Sequence, residues 1–399
     1  MKFSPYNRAI WLITVSFVLF QFLLQMSSGL VMSRLMTEVH LSAFAAGLLS
    51  AAFYLIYTPM QIPVGILFDY QNTRKLLSFS ACVCALGCLM FAMSYQVYTL
   101  FLGRLLMGAG ASFAFVGLSL VVRRLFPIHE FGFWIGLSEM IGLGGIIIST
   151  FFLGTLITYF GWRPFLFLAC AIGLVISGLC YFLIPNNQLK TKLHFNKQST
   201  LAVLTHPLLW LNGIILGLSF SVISVFGGMW AIPYFQHSLG FDMGTASRVT
   251  SLIFLGTAVS CPVFGKLSLN YLNRRKLMIG SSLVTALWLC ILLYAPITNA
   301  YLAGSLMLLI GLSCGAYMLT FTIANELAPK EALATSAGFT NTLGMVTAPL
   351  FQPAIGFLLD ITKNHALMST HAYPLSLSIL PLALVLAALL TVWLPSESS

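Results

Sequence analysis

From Ile10 to Leu394 the chain returns again and again to stretches of about 20 apolar residues, almost free of charge and separated by short polar turns. Each stretch matches the roughly 30 Å hydrocarbon core of a bilayer, where only a helix or a closed barrel satisfies its own backbone hydrogen bonds. The runs show no period-two alternation, which selects the helix. Spans are predicted at 10–32, 41–66, 76–95, 98–121, 131–158, 165–184, 208–231, 246–268, 277–296, 300–323, 333–359 and 373–394. The expected fold class is therefore all-α integral membrane, with twelve transmembrane helices. Apolar residues make up 59% of the chain and charged ones 7%, too few polar groups to cover a water-soluble surface.

The net charge of +10 is explained by position. With both termini cytoplasmic, the inner loops and termini carry Lys2, Arg8, Arg74, Lys75, Arg123, Arg124, Lys190, Lys192, Lys197, Lys266, Arg274, Arg275, Lys276 and Lys330, and the outer ones carry only Arg34, Arg163, Arg248 and Lys363. That asymmetry follows the positive-inside rule and orients the chain in the inner membrane. Acidic lipid headgroups suffice as partners for the basic face, so nucleic acid is excluded. The first apolar run is long enough to span and lacks a small-residue cleavage site, so it is expected to remain as the first helix. All eight cysteines (Cys82, Cys84, Cys88, Cys170, Cys180, Cys261, Cys290 and Cys314) fall in predicted spans, where thiols pack as small apolar groups. No disulfide framework, metal site or cofactor is expected.

The longest polar interval, 185–206, divides the chain into 1–184 and 207–399. Gly65, Leu67, Arg74 and Lys75 recur 200 residues later as Gly265, Leu267, Arg274 and Arg275. Leu125, Pro127, Gly136, Gly142 and Gly154 recur 202 residues later as Leu327, Pro329, Gly338, Gly344 and Gly356. Two six-helix, pseudo-symmetric bundles follow, joined by a cytoplasmic linker. Both start on the same side of the membrane, the parallel-repeat arrangement that supports alternating access around a central solute site.

The loop after the second span reads GILFDYQNTRKLL and resembles the G-x-L-x-D-x-x-x-x-R-[KR] signature of the major facilitator superfamily. A weaker copy, GKLSLNYLNRRKL, follows the eighth span without the acid. GRLLMGAGAS in the fourth span resembles that superfamily's R-x-x-x-G-x-G pattern through Arg104, Gly108 and Gly110, and GWRPF and QPAIGFLLD are similar to segments of its bacterial members. The resemblance implies the superfamily's fold, secondary transport, and a cytoplasmic gate formed by Gly65, Asp69, Arg74 and Lys75. In that gate Asp69 bridges to the start of the eleventh span near Lys330. Elementary chemistry gives these residues a simpler role as well: Gly65 lets helices approach, Asp69 caps a helix or meets a cation, and Arg74 and Lys75 hold the loop to anionic lipid. Glu326 and Arg124, at equivalent places in the two repeats, are expected either to pair as a second gate or to end two helices separately.

Only Arg104 and Glu139 place charge well inside a span, where each costs at least about 2.5 kcal/mol. At 1.5 Å per residue Arg104 lies about 10 Å deep from one face and Glu139 about 12 Å from the other. Arg104 is read as the substrate anchor, since its guanidinium fork matches a carboxylate or phosphate. Glu139 is read as the proton-coupling group, because desolvation raises a carboxyl pKa. The alternative is an Arg104–Glu139 pair that locks two helices. Gln21, Gln25 and Ser28 share one face of the first span and should point inward. With Asn212, Trp230, Tyr234 and Asn341 they complete the candidate substrate-binding set, and Gln61 and Gln352 are further polar groups at depth. Trp230 and Tyr234 either cover the solute or belong to an interfacial aromatic belt.

His40, His129, His194, His206, His237, His365 and His371 are scattered over loops and span ends, and no nucleophile triad or phosphate loop accompanies them, so an enzyme is excluded. With no nucleotide-binding motif, an ion gradient or the solute's own gradient must drive transport. The reading is a monomeric, proton-coupled symporter for a small anionic or zwitterionic solute: an organic acid, amino acid, peptide or siderophore. Efflux of a drug or metabolite by proton antiport is the alternative.

Overall fold

The computed structural model describes residues 5–26, 28–126, 131–185, 197–270, 273–297, 299–329, 333–363 and 372–394; a few side chains within its helices, Asp69, Arg124 and Glu139 among them, lie outside the description. The described residues hold helices, turns and no strand. Span 1 is Pro5–Met26 followed by Ser28–Glu38, span 2 Ala43–Tyr70, span 3 Thr73–Met93, span 4 Val97–Leu125, span 5 Phe131–Phe160 and span 6 Trp162–Leu183. Span 7 runs from Pro207–Ser221 through a π-helical stretch, Val222–Trp230, into Ala231–Leu239. Spans 8 and 9 are Met243–Asn270 and Arg274–Tyr294. Span 10 is Ala300–Cys314, a 3-10 turn Gly315–Met318, and Leu319–Leu327; span 11 is Leu333–Met345 and Thr347–Lys363; span 12 is Ala372–Leu377 and Ile379–Thr391. Eleven of the twelve carry windows with mean hydropathy of 1.4–2.4 in the described residues, and span 5 is the twelfth.

Several boundaries differ from the sequence expectation, span 1 running on to Glu38 among them. Span 7 continues to Leu239, beyond the apolar window that ends near 231, and stops where Gly240 adopts φ 70°. That left-handed conformation is a glycine position, and it ends the helix. The interval 185–206 also contains a helix of its own, Lys197–Thr205, which its polar composition concealed.

The repeat is written into the helix caps. Asn72 accepts from the Arg74 amide at 3.0 Å and Asn273 accepts from the Arg275 amide at 2.9 Å, the same cap at the start of spans 3 and 9. Matching the caps pairs Arg74 with Arg275, not with Arg274 as the ungapped sequence match has it, because the second copy of the loop is one residue longer. The two arginines then do equivalent things: the Arg74 guanidinium lies 4.2 Å from the Tyr181 ring in span 6, and Arg275 donates to the Val392 carbonyl at the end of span 12, at 3.1 Å.

The chain forms two compact units: residues 1–25, 52–146 and 160–195, and residues 26–51, 147–159 and 196–399. In the first unit, the two glycines of GRLLMGAGAS serve two neighbours. A Cβ on Gly108 would run into the Phe53 carbonyl of span 2 and come within 2.8 Å of Ile56, whereas one on Gly110 would meet the Cys84 amide nitrogen of span 3 at 2.6 Å. The second unit repeats the first of these contacts: a Cβ on Gly311 in span 10 would run into the Ile253 carbonyl of span 8 and lie 2.9 Å from Gly256 Cα. Small residues at such crossings let helix backbones touch, which is how packing is strengthened where lipid supplies no hydrophobic drive.

Candidate solute site

In the first unit the polar side chains of spans 1, 2 and 4 gather at depth. Gln21 and Gln25 are fully buried, and the Gln21 amide donates to Gln25 Oε1 at 2.7 Å, as their spacing of four predicts. Arg104 is 4% exposed and donates from Nη1 to the Leu24 carbonyl at 3.0 Å, with its guanidinium carbon 5.2 Å from the Phe53 ring centre. The Tyr54 phenol lies beside Gln25 and Arg104. Gln21 Oε1, Thr58 Oγ1 and Gln61 Nε2 are buried polar atoms with no hydrogen-bond partner among the described residues. Buried atoms of this kind cost roughly 1–3 kcal/mol each unless something hydrogen-bonds them.

Tyr54 and Thr58 went unnoticed in the sequence, although with Gln61 they follow i, i+4, i+7 spacing and make a polar stripe on span 2. Glu139 lies on span 5 with its side chain outside the described residues. Its neighbour Ser138 is buried, receives the Trp11 indole N–H at 2.9 Å and donates to the Trp134 carbonyl at 2.6 Å, which fixes this turn of span 5 against span 1.

The second unit gathers buried amides of its own. Asn212 is fully buried and donates to the Thr320 carbonyl of span 10 at 2.8 Å, leaving Oδ1 without a described partner. Gln352 donates to the Ser224 carbonyl at 3.1 Å, and its own backbone carbonyl accepts the Trp230 indole N–H at 3.2 Å. Asn341 is 8% exposed. Trp230 and Tyr234 are both buried, and the Tyr234 hydroxyl donates to the Leu292 carbonyl at 2.7 Å. Neither sits in an exposed aromatic rim. Trp230 joins the Gln352 cluster, while Tyr234 ties span 7 to span 9.

The expected gate residues are only partly described. No described atom would lie within 4 Å of a Cβ on Gly65 or Gly265, so among the described residues no close helix approach is seen at Gly65. Lys75 is exposed, and the Asp69 and Arg124 side chains and Lys330 lie outside the described residues. Glu326 is held by Arg274 at 2.6 Å, a partner the sequence reading did not name. With the two side chains 20% and 38% exposed, Glu326→Gln is expected to lower thermal stability by less than about 1 kcal/mol in a melting experiment.

Residues 11–353 match the family model described as Major Facilitator Superfamily. The chain belongs to this superfamily. Among relatives, this transporter is 24% identical over 375 residues to the probable galactarate/D-glucarate transporter GarP of Escherichia coli, covering 81% of each chain. It is 23% identical over 359 residues to the uncharacterized transporter YybO of Bacillus subtilis, covering 82% of each. A bacterial homologue of the human lysosomal transporter Spinster, solved in an inward-facing and unoccupied conformation, superposes with a TM-score of 0.78 at 14% identity, over 97% of this chain and 96% of that one. A D-xylose-proton symporter does so at 0.75 and 17%, over 98% and 99%. These likenesses give the twelve-helix fold of the superfamily, and the protein is a multi-pass membrane transporter.

Proposed function

We propose that this transporter carries a small hydroxylated organic acid into the cell across the bacterial inner membrane, by alternating access and in symport with protons. Both termini are then cytoplasmic, and the repeats 1–184 and 207–399 act as two rocking halves joined by 185–206. The observation that carries the reading is Arg104: a nearly fully buried guanidinium set among Gln21, Gln25 and the Tyr54 phenol. A carboxylate meets the fork of Arg104 in two charge-assisted hydrogen bonds, and neutral amides and hydroxyls suit the hydroxyl groups of a sugar acid. The names of the galactarate/D-glucarate relatives point to the same class. Buried amides of the second unit, Asn212, Asn341 and Gln352, add neutral donors and acceptors and no opposing charge.

Glu139 is the coupling group in this reading, protonated with solute bound and released to the cytoplasm. Proteoliposomes under an imposed pH gradient, offered labelled sugar acids, amino acids, small peptides and siderophores, test both parts. Wild type should accumulate a sugar acid only with the gradient, and Glu139→Gln should lose accumulation while retaining exchange. Gradient-driven accumulation by Glu139→Gln equal to wild type would remove Glu139 from coupling, and uptake confined to a cationic solute would overturn the solute class.

A further inference from the structure

Within the second unit, spans 2 and 11 meet backbone to backbone. A Cβ on Gly356 would run into the Ala43 carbonyl and lie 2.8 Å from Phe44 Cα, and one on Gly47 would run into the Gln352 carbonyl and lie 2.9 Å from Pro353 Cα. Phe44 and Phe357 meet edge to face across the same seam, their ring centres 6.2 Å apart. At the head of span 2, side chains hold three of the amides that a helix start leaves without an intrahelical partner. Asp360 Oδ1 accepts from the Ala43 amide at 2.9 Å and Oδ2 accepts from the Phe44 amide at 2.8 Å. The Ser42 hydroxyl takes the third, accepting from the Ala45 amide at 3.1 Å, and the Ser42 carbonyl accepts the first helical bond, from Ala46, at 3.0 Å. A carboxylate with both oxygens on the amides of a helix N-terminus gains from charge-assisted bonding and from the helix dipole together. Here it comes from a residue 317 positions away in the sequence, on the other repeat.

The repeat supplies an internal control. The residue of span 5 that corresponds to Asp360 is Thr158, and the helix start that corresponds to Ala43 is Met243. Span 8 is capped by its own Asp242, which accepts from the Thr245 amide at 3.0 Å. Hydrogen bonds from the Thr245 hydroxyl and amide hold its carboxyl below the usual range. In place of a bridging carboxylate there is a cavity of about 360 Å³, lined by Arg34, Thr158, His237 and Asp242 among others. At one seam the capping carboxylate comes from the other repeat; at its counterpart it comes from the residue just before the capped helix.

We propose that Asp360 is the latch of the outer gate: its carboxylate holds the head of span 2 against span 11 while the outside is closed, and lets go when the transporter opens outward. The assignment rests on the alternating-access reading and on the orientation that puts these helix ends outside; it does not depend on the solute. Asp360→Asn is the informative variant. Its amide keeps the size and one acceptor but turns an NH2 group toward a backbone N–H, so one bond becomes a donor facing a donor.

Spin labels at Leu48→Cys on span 2 and Ile361→Cys on span 11, with Cys82, Cys261 and Cys290 replaced by serine, report the seam by pulsed dipolar distance measurement in the absence of solute. Relative to the labelled parent, Asp360→Asn and Asp360→Ala should enlarge a longer-distance population about tenfold, which corresponds to about 1.4 kcal/mol. Asp360→Glu should restore part of the short distance. A carboxylate that merely capped a helix would lower the melting temperature and leave the distance distribution in place. That result with Asp360→Asn would overturn the proposal even if Asp360→Ala did not fold. An intact distance shift with failed sugar-acid uptake would retain the latch and reject only the solute.

Discussion

Arg104→Gln is expected to reduce sugar-acid counterflow by roughly 100-fold to 10,000-fold, because two charge-assisted hydrogen bonds of about 1.5–3 kcal/mol each are lost to the solute. Arg104→Lys should recover little of this. An ammonium keeps the charge but presents a single point where the planar fork presents two parallel donors. Stability should move the other way. The wild-type guanidinium is buried beside Phe53 and a helix carbonyl, and taking a charge out of a low-dielectric interior removes a desolvation penalty. Arg104→Met is therefore expected to fold with a melting temperature at or above wild type while transporting nothing. Solute-induced thermal stabilisation separates the two quantities: the wild type should be protected by the solute and the Met variant should not. A Lys variant with an unchanged KM, or a Met variant that fails to insert, would show that Arg104 organises the helices and leaves the solute to others.

The second large effect is structural. Gly108→Ala puts a methyl group against the Phe53 carbonyl, and the atom in its way is backbone, which cannot swing aside as a side chain can. Spans 2 and 4 must separate, and overpacking of this kind costs about 1–3 kcal/mol. Gly311→Ala, the equivalent change against Ile253, should cost a similar amount. Gly65→Ala, with open space at its Cβ among the described residues, should cost little. Melting of the three variants in one detergent checks the ranking. A Gly65 variant as unstable as the Gly108 variant would mean that the open space is filled in the state that detergent favours.

The architecture was legible because one physical demand, burial of every backbone polar group in lipid, leaves a long apolar run few options. The same demand hides detail. Hydropathy sees the end of span 7 near Pro233, Tyr234 and Gln236, whereas the helix hydrogen bonds carry on to Leu239. Gln21 and Gln25 were legible as a pair because amides are rare in spans and helical spacing is local. Tyr54 and Thr58 were not, since a tyrosine or a threonine in an apolar run is unremarkable until its neighbours are seen. Asp360 illustrates the limit: the sequence shows an acid closing QPAIGFLLD, and nothing near it in the chain names Ala43 and Phe44 as its partners.

Spans 2 to 6 are each a single unbroken α-helix, whereas four of their later counterparts and neighbours are not: span 7 changes to π geometry at Val222–Trp230, span 10 tightens at Gly315–Met318, and spans 11 and 12 turn at Val346 and Ser378. Helix interruptions of these kinds recur at hinges and functional sites. In mechanical terms, spans 2 to 6 of the first repeat are struts, whereas spans 7, 10, 11 and 12 of the second are jointed rods. Bending during a transport cycle then concentrates in residues 207–394, so amide protons around Val222–Trp230 and Gly315–Met318 exchange faster than those of spans 3 and 4 at the same depth. Two repeats of one plan thus divide the labour of motion unequally, with Arg104 seated on the stiff partner.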